Sequence, residues 1–327
     1  MLTSRIFNAL ALTSALIFPA SGFAQSFTFA AIGDLPYGPH EEFAGLIHKI
    51  NGQPLAFTIH VGDIKSGSTV CSDETFLSVR QLFDRFDRAL IYTPGDNEWT
   101  DCHRVSNGRY DPLERLEKIR QLFFSPSESL GKQRLPLQTQ SSQKSFTSFV
   151  ENRRWSQGKV RFATLHLVGS NNNLQPGLAS SSEFAAREYA NIAWLKETFA
   201  EAKANRDEAV VLAMQADTFF GEPRKGSGFV RWNAVLAEEV AAWEKPVLLI
   251  QGDTHQYLTD RPLKDAKGNP LSQLVRVVVP GESQADAVLI RIDTADKAAP
   301  FHFKLLRDEK QPLAGFESAI DQFDWAG

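Results

Sequence analysis

Short apolar runs that stop on Gly-Asp recur along this chain. FTFAAIGD (Phe27 to Asp34) and AFTIHVGD (Ala56 to Asp63) do so directly, ALIYT (Ala89 to Thr93) leads into PGDNE, and PVLLI (Pro246 to Ile250) leads into QGDTH. Unbroken apolar stretches of this length bounded by Gly predict buried strands. Each sets an Asp at its carboxyl end, where open α/β sheets hold their ligands. Helical spacing follows: Phe43, Leu46, Ile47 and Ile50 within Glu41 to Ile50, Phe76, Leu77, Val79, Leu82 and Phe83 within Glu74 to Phe86, and a third helix over Leu113 to Phe123. Repeated strand, loop and helix units imply a parallel sheet with right-handed crossovers.

The second half reads differently. Residues 124–158 are polar, hold Pro126 and Pro136 and are rich in Ser and Gln, which predicts an irregular surface insert. Arg161 to Val168 is a strand running into Gly169-Ser170-Asn171-Asn172-Asn173, where a turn is the default expectation. Arg187 to Lys203 is an amphipathic helix with Ile192, Leu195 and Phe199 on one face and Trp194 in the core. Glu208 to Met214 is a buried strand ending at Gln215, and Phe229 to Trp243 is helical. Three β-like runs, Leu274 to Val279, Ala287 to Ile292 and Phe301 to Leu306, close the chain without helices, predicting a second, mainly antiparallel sheet.

Composition adds the compartment. Residues 1–24 have the charge (Arg5), apolar stretch (Ile6 to Ala20) and small-residue end (Gly22-Phe23-Ala24) of a secretory signal peptide, too short for a membrane span. Residues 25–327 then form one domain, with no linker or repeat to divide it. The expectation is an exported protein, periplasmic or secreted, without stable membrane insertion. After export its two cysteines, Cys71 and Cys102, meet an oxidising compartment and are expected to pair. A formal charge of −4 argues against a general nucleic-acid binder. Nothing in the sequence fixes an oligomeric state.

A single Gly-Asp pair is ordinary turn chemistry. Recurring after strand-length apolar runs, such pairs instead point to a converging set of hard oxygen ligands for metal ions. Clustered carboxylates repel one another unless cations neutralise them.

The order of these pieces resembles the calcineurin-like metallophosphoesterase superfamily. Its five strand-end motifs match Asp34-Leu35-Pro36, Gly62-Asp63, Gly95-Asp96-Asn97-Glu98, Gln215, and Gly252-Asp253-Thr254-His255. The resemblance implies an α/β fold, a four-layer αββα sandwich of two mixed β-sheets flanked by helices. It also implies two divalent metal ions (Mn, Mg, Fe or Zn), with Asp63 bridging them. Asp34 and His255 would complete one position, with Tyr37 or water in place of a missing imidazole; Asp96, Asp253 and Gln215 would hold the other. Three family histidines are replaced, by Pro36, Gln215 and Asp253, and the oxygen-rich set that remains suits Mg²⁺, Mn²⁺ or Ca²⁺.

In the gap-free register Asn97 stands where the family has its catalytic histidine; shifted by one residue, Glu98 does. With His103 in the following loop, these are the catalytic candidates, and His60 is expected to be packed. Lys65 and Arg104 are charges that could meet a phosphate, and both read first as solvated loop residues. The implied activity is two-metal hydrolysis of a small phosphorylated substrate. The alternative is a catalytically degenerate member that binds a ligand or partner.

Overall fold

In a computed structural model of the protein, residues 26–175, 178–221 and 226–307 are described; the leader expected at residues 1–24 lies outside them. One sheet is built from β1 (Ser26–Ile32), β2 (Phe57–His60), β3 (Ala89–Tyr92), β11 (Ala287–Asp293) and β12 (Phe301–Leu306). Its order is β12-β11-β1-β2-β3, with β1, β2 and β3 parallel. The other has β4 (Gln138–Thr139), β5 (Arg153–Gln157), β6 (Val160–Thr164), β7 (Ala209–Ala213), β8 (Val247–Gln251), β9 (Leu258–Asp260) and β10 (Leu274–Val278), ordered β4-β5-β6-β7-β8-β10-β9. Both sheets are mixed.

Strand alternation builds the layers. On β1, Phe29 and Ala31 point into a core shared with Phe162, Val211, Leu248 and Val277 of the other sheet, whereas Ala30 and Ile32 meet Phe43, Ile47, Phe76 and Phe83 of the outer helices. Helices His40–Asn51, Asp73–Phe83 and Pro112–Phe123 cover that outer face. Helices Leu178–Ala204 and Val230–Trp243 cover the far face of the second sheet through Trp194, Leu195, Phe199, Trp232 and Leu236. The result is the αββα sandwich. Local signals set the helix starts: the Ser72 side chain accepts from Thr75 N, and Asp111 caps the helix that begins at Pro112. Among the described residues no helix is long and apolar enough to cross a membrane.

Two expectations are corrected. The closing runs do not form a sheet of their own. β10 joins the second sheet parallel to β8, while β11 pairs antiparallel along β1 and β12 along β11. The reason is that β1 has a second edge to pair, and β11 suits it on both faces: Val288, Ile290 and Ile292 enter the inter-sheet core while Ala287 and Leu289 meet the helices. The 124–158 stretch is irregular over most of its length, as expected, but it is more than a surface insert, since β4 and β5 extend the second sheet and Leu137 and Trp155 lie in the inter-sheet core. Its polarity conceals burial. Arg153 is buried with its guanidinium on the carbonyls of Val150, Glu128 and Ser125, and Arg154 stacks 3.9 Å over Trp194 while pairing with Glu201.

Phe162, 0% exposed, joins the sheets through rings of Phe27, Phe29 and Phe57 at centroid distances of 6.1, 5.5 and 5.2 Å, and stacks at 5.1 Å on Trp155 of its own sheet. Phe162→Ala is expected to lower stability by about 3–5 kcal/mol in chemical denaturation. A loss under about 1 kcal/mol would contradict the packing described between the sheets.

Candidate metal centre

The acidic residues of the Gly-Asp pattern gather at one end of the sandwich. Asp34 follows β1, Asp63 follows β2, Asp96 follows β3, and Asp253 and His255 follow β8. Asp34, Asp63, Asp253 and His255 have φ of 53°, 54°, 73° and 58°, left-handed values that cost non-glycine residues energy unless their surroundings enforce them. The glycines explain the spacing. A Cβ on Gly95 would lie 2.0 Å from Asp63 Oδ1, and one on Gly252 would lie 2.4 Å from Asp34 Oδ2. The glycine of one pair thus clears space for the carboxylate of another.

Asp34, Asp63 and His255 each present a ligand atom, all within 4.8 Å of one another. Asp34 Oδ1 accepts from Asp253 N at 3.1 Å and lies 3.3 Å from His255 Nε2, whose other ring nitrogen lies 3.2 Å from Glu282 Oε2. Asp63 Oδ2 accepts from Tyr37 Oη (2.9 Å), Asn97 Nδ2 (2.8 Å) and Gln215 Nε2 (3.2 Å), and Asp63 Oδ1 from Asn97 N (3.1 Å). Asp96 Oδ2 accepts from Ser170 Oγ at 2.7 Å, while its buried Oδ1 has no hydrogen-bond partner among the described residues. A Cβ on Gly169 would lie 2.8 Å from both Asp96 Oδ1 and Asp253 Oδ1, so these two oxygens face the same small space.

Burial dominates the electrostatics. It pushes the Asp63 carboxyl well above the usual range, helped by Asp96, Glu98, Asp34 and Asp253, and pushes Asp253 up to about 8. Asp34 is also raised by burial, although His255 opposes the shift. His255 rises to about 8, chiefly through its hydrogen bond to Asp34. Such a cluster resists full ionisation unless cations enter. Together with the orphaned Asp96 Oδ1, this fits divalent ions.

The other candidates are placed as follows. Asn97 lies against Asp63, bonded through both its backbone and its side chain. Glu98 is fully buried beneath the site: Oε1 accepts from Asp63 N (3.2 Å), Gly95 N (2.7 Å) and Tyr92 Oη (2.8 Å), which braces two Gly-Asp turns at once. Gln215 Oε1 accepts from Gly169 N at 2.6 Å, so its NH₂ group is the part turned towards Asp63. His103 is exposed and donates from Nδ1 to Thr100 O at 2.7 Å. His60 is packed as expected, donating from Nε2 to Leu35 O and accepting from Gly62 N, with burial lowering its pKa to about 4.

Lys65 corrects an expectation: it is 1% exposed rather than solvated, and its charge faces Glu98, Asp63, Asp101 and Asp96. The Asn-rich stretch is a turn, with Ser170 to Asn173 all left-handed (φ 47°, 56°, 54° and 57°), a conformation Asn tolerates well. Two contributors went unread in the sequence, Ser170 and Asp101. Ser170 Oγ lies 2.9 Å from Asp101 Oδ1 as well as bonding Asp96. Neither carries a motif; only adjacency to motif ends marks them. Cys71 and Cys102 form the expected disulfide, with Cα atoms 5.7 Å apart, tying the loop after Asp63 to the 3₁₀ turn Thr100–His103.

No family model and no curated protein matches the chain. Among solved structures it is similar to PhoD, with a TM-score of 0.54 and 12% identity over 88% of this chain and 70% of that one. It is also similar to a dimetal phosphatase from Danio rerio (TM-score 0.49, 12% identity, 81% of this chain and 95% of that one). A purple acid phosphatase from yellow lupin (Lupinus luteus) seeds matches at TM-score 0.46 and 12% identity, over 85% of this chain and 53% of that one. The likeness to PhoD shows the fold: the two-sheet sandwich is metallophosphoesterase-like.

Protonated His255 is held by Asp34 and Glu282 and titrates near 8, above the ordinary 6.5, so the stabilisation of that form is complete below about 6.5 and lost as pH rises through about 8. An ion binding at this imidazole displaces the proton. Mn²⁺ affinity is therefore expected to rise with pH up to about 8 and then level off, in calorimetry with buffers of different ionisation enthalpy. A pH-independent affinity without proton release would count against His255 as a ligand. The disulfide closes a separation of 31 residues, and Cys71→Ser with Cys102→Ser is expected to cost roughly 3–4 kcal/mol in denaturant unfolding.

Proposed function

We propose that this protein is an exported, divalent-metal-dependent phosphoesterase acting on a small phosphorylated substrate. One observation carries the reading: carboxylates from four strand ends, three of them buried, converge with one imidazole, and one of their oxygens, Asp96 Oδ1, has no hydrogen-bond partner among the described residues. In this reading Asp34, Asp63 and His255 would hold one ion, and Asp63, Asp96 and Asp253 would hold a second beside Gln215. The donor set is mostly oxygen, which suits Mn²⁺ or Mg²⁺ better than Zn²⁺ or Fe. When bound, such ions acidify water and neutralise charge on a phosphoryl group.

The chain's own residues supply orientation. Tyr37 and Asn97 donate to Asp63 Oδ2 and fix the carboxylate, and Asn97 Nδ2 also reaches Tyr37 Oη at 2.6 Å. Glu98 is a positioning residue, since its contacts are to backbone N–H groups and a buried tyrosine. His103, turned to Thr100 O and exposed, is the freer of the proton-donor candidates. The leader expected at residues 1–24 supports export, and the disulfide is compatible with it.

A second reading is favoured by Gln215, which turns donors rather than lone pairs towards Asp63. On that account the chain binds a phosphorylated ligand without converting it. Turnover of p-nitrophenyl phosphate and its bis ester with Mn²⁺ separates the two. Asp63→Asn is expected to lower kcat/KM by at least about 100-fold, beyond the usual loss of a supporting partner, and to reduce bound metal. Equal rates in wild type and variant would sink the enzymatic reading, and a fully metal-loaded wild type without turnover favours the second.

A further inference from the structure

An anionic substrate approaching this site meets a surface crowded with acids. Asp34, Asp63, Asp96, Asp101 and Glu98 are all buried around it. Lys65 lies among them, but it is 1% exposed and its Nζ donates to Ser66 O at 3.0 Å. Among the described lysines and arginines that border the cluster, Arg104 reaches solvent, its side chain 45% exposed.

Its position is set from two sides. Nη1 pairs with Asp101 Oδ2 at 2.7 Å, and Asp101 is itself buried and anchored by its backbone N donating to Asp96 O at 3.1 Å. Nη2 lies 3.4 Å from Ser170 Oγ, the hydroxyl that bonds Asp96 Oδ2. A Cβ on Gly67 would lie 3.1 Å from Asn97 Oδ1 and 3.8 Å from Arg104 Nη1, so the guanidinium and the amide that holds Asp63 border the same open space. Arg104 thus stands one side chain away from both Asp96 and Asp63. The adjoining Cys102 is locked by the disulfide.

A guanidinium carries five donors in a planar fork that matches two oxygens of a tetrahedral oxyanion, and it stays charged at any working pH. The pair with Asp101 and the long contact to Ser170 leave part of that fork for a ligand. As a stabilising ion pair alone, a half-exposed contact of this kind contributes little.

We propose that Arg104 is the oxyanion-recognising residue of this site, binding two non-bridging oxygens of a phosphate group held over the Asp63 and Asp96 carboxylates. The proposal rests on the phosphoester reading of the site but not on turnover. The test is calorimetric binding of inorganic phosphate to the Mn²⁺-loaded full protein, comparing wild type, Arg104→Gln and Arg104→Lys, with Mn²⁺ affinity measured for each.

Arg104→Gln is expected to weaken phosphate binding by about 10- to 100-fold, the range for a lost charge-assisted contact, with Mn²⁺ affinity unchanged. Arg104→Lys should recover only part of the loss, because the charge returns without the fork. Phosphate binding unchanged in Arg104→Gln overturns the proposal even if the enzyme turns over. So does a parallel loss of Mn²⁺ affinity, which would make Arg104 a support for Asp101 and Asp96, and so does a loaded wild type that binds no phosphate. Arginine-dependent phosphate binding without any hydrolysis upholds the proposal while removing the enzymatic reading.

Discussion

The structure depends on how closely its strand ends can approach. Like-charged carboxylates reach one another here because the residues between them lack side chains: Gly95 lies against Asp63, while Gly252 and Gly281 lie against Asp34. Any Cβ at Gly95 or Gly252 would push into a carboxylate oxygen. The same crowding drives the acid groups upward in pKa and makes the site a natural sink for cations. Glu98 holds the arrangement from below by accepting N–H groups from two turns that would otherwise be free to separate.

Much of this was legible in the sequence. The apolar runs gave β1, β2, β3, β7 and β8, and helical spacing gave the helices covering them. What pattern reading missed depends on contacts distant in the chain. The β11 segment pairs with β1, which lies more than two hundred residues earlier in the chain, and apolar alternation alone does not name a partner. The 124–158 stretch looked solvated because its arginines are buried through carbonyl acceptors and a tryptophan face, partners that composition does not reveal. Lys65 was misjudged for a similar reason: its counter-charges come from other strand ends.

The centre is also marked by its donors. Asp63 Oδ2 receives three hydrogen bonds, from Tyr37, Asn97 and Gln215. The amide N–H groups of Asn97 and Gln215 face the carboxylate. Which way each amide bonds is set by the fold around it, and a residue-by-residue comparison of motifs does not show it. The likeness to PhoD concerns the sandwich.

Neither sheet owns the centre. Asp34, Asp63 and Asp96 leave the first sheet, and Gln215, Asp253 and His255 leave the second, with Asp253 N bonded across to Asp34. A chain with only one sheet assembled has half a pocket, so an ion finds its full set of donors only once the sandwich has closed. On the metal-binding reading, free metal would favour the closed sandwich by mass action, more strongly as its concentration rises over its dissociation constant. Without a bound ion, burial raises the Asp63 and Asp253 carboxyls, so closing the seam favours their protonated forms instead.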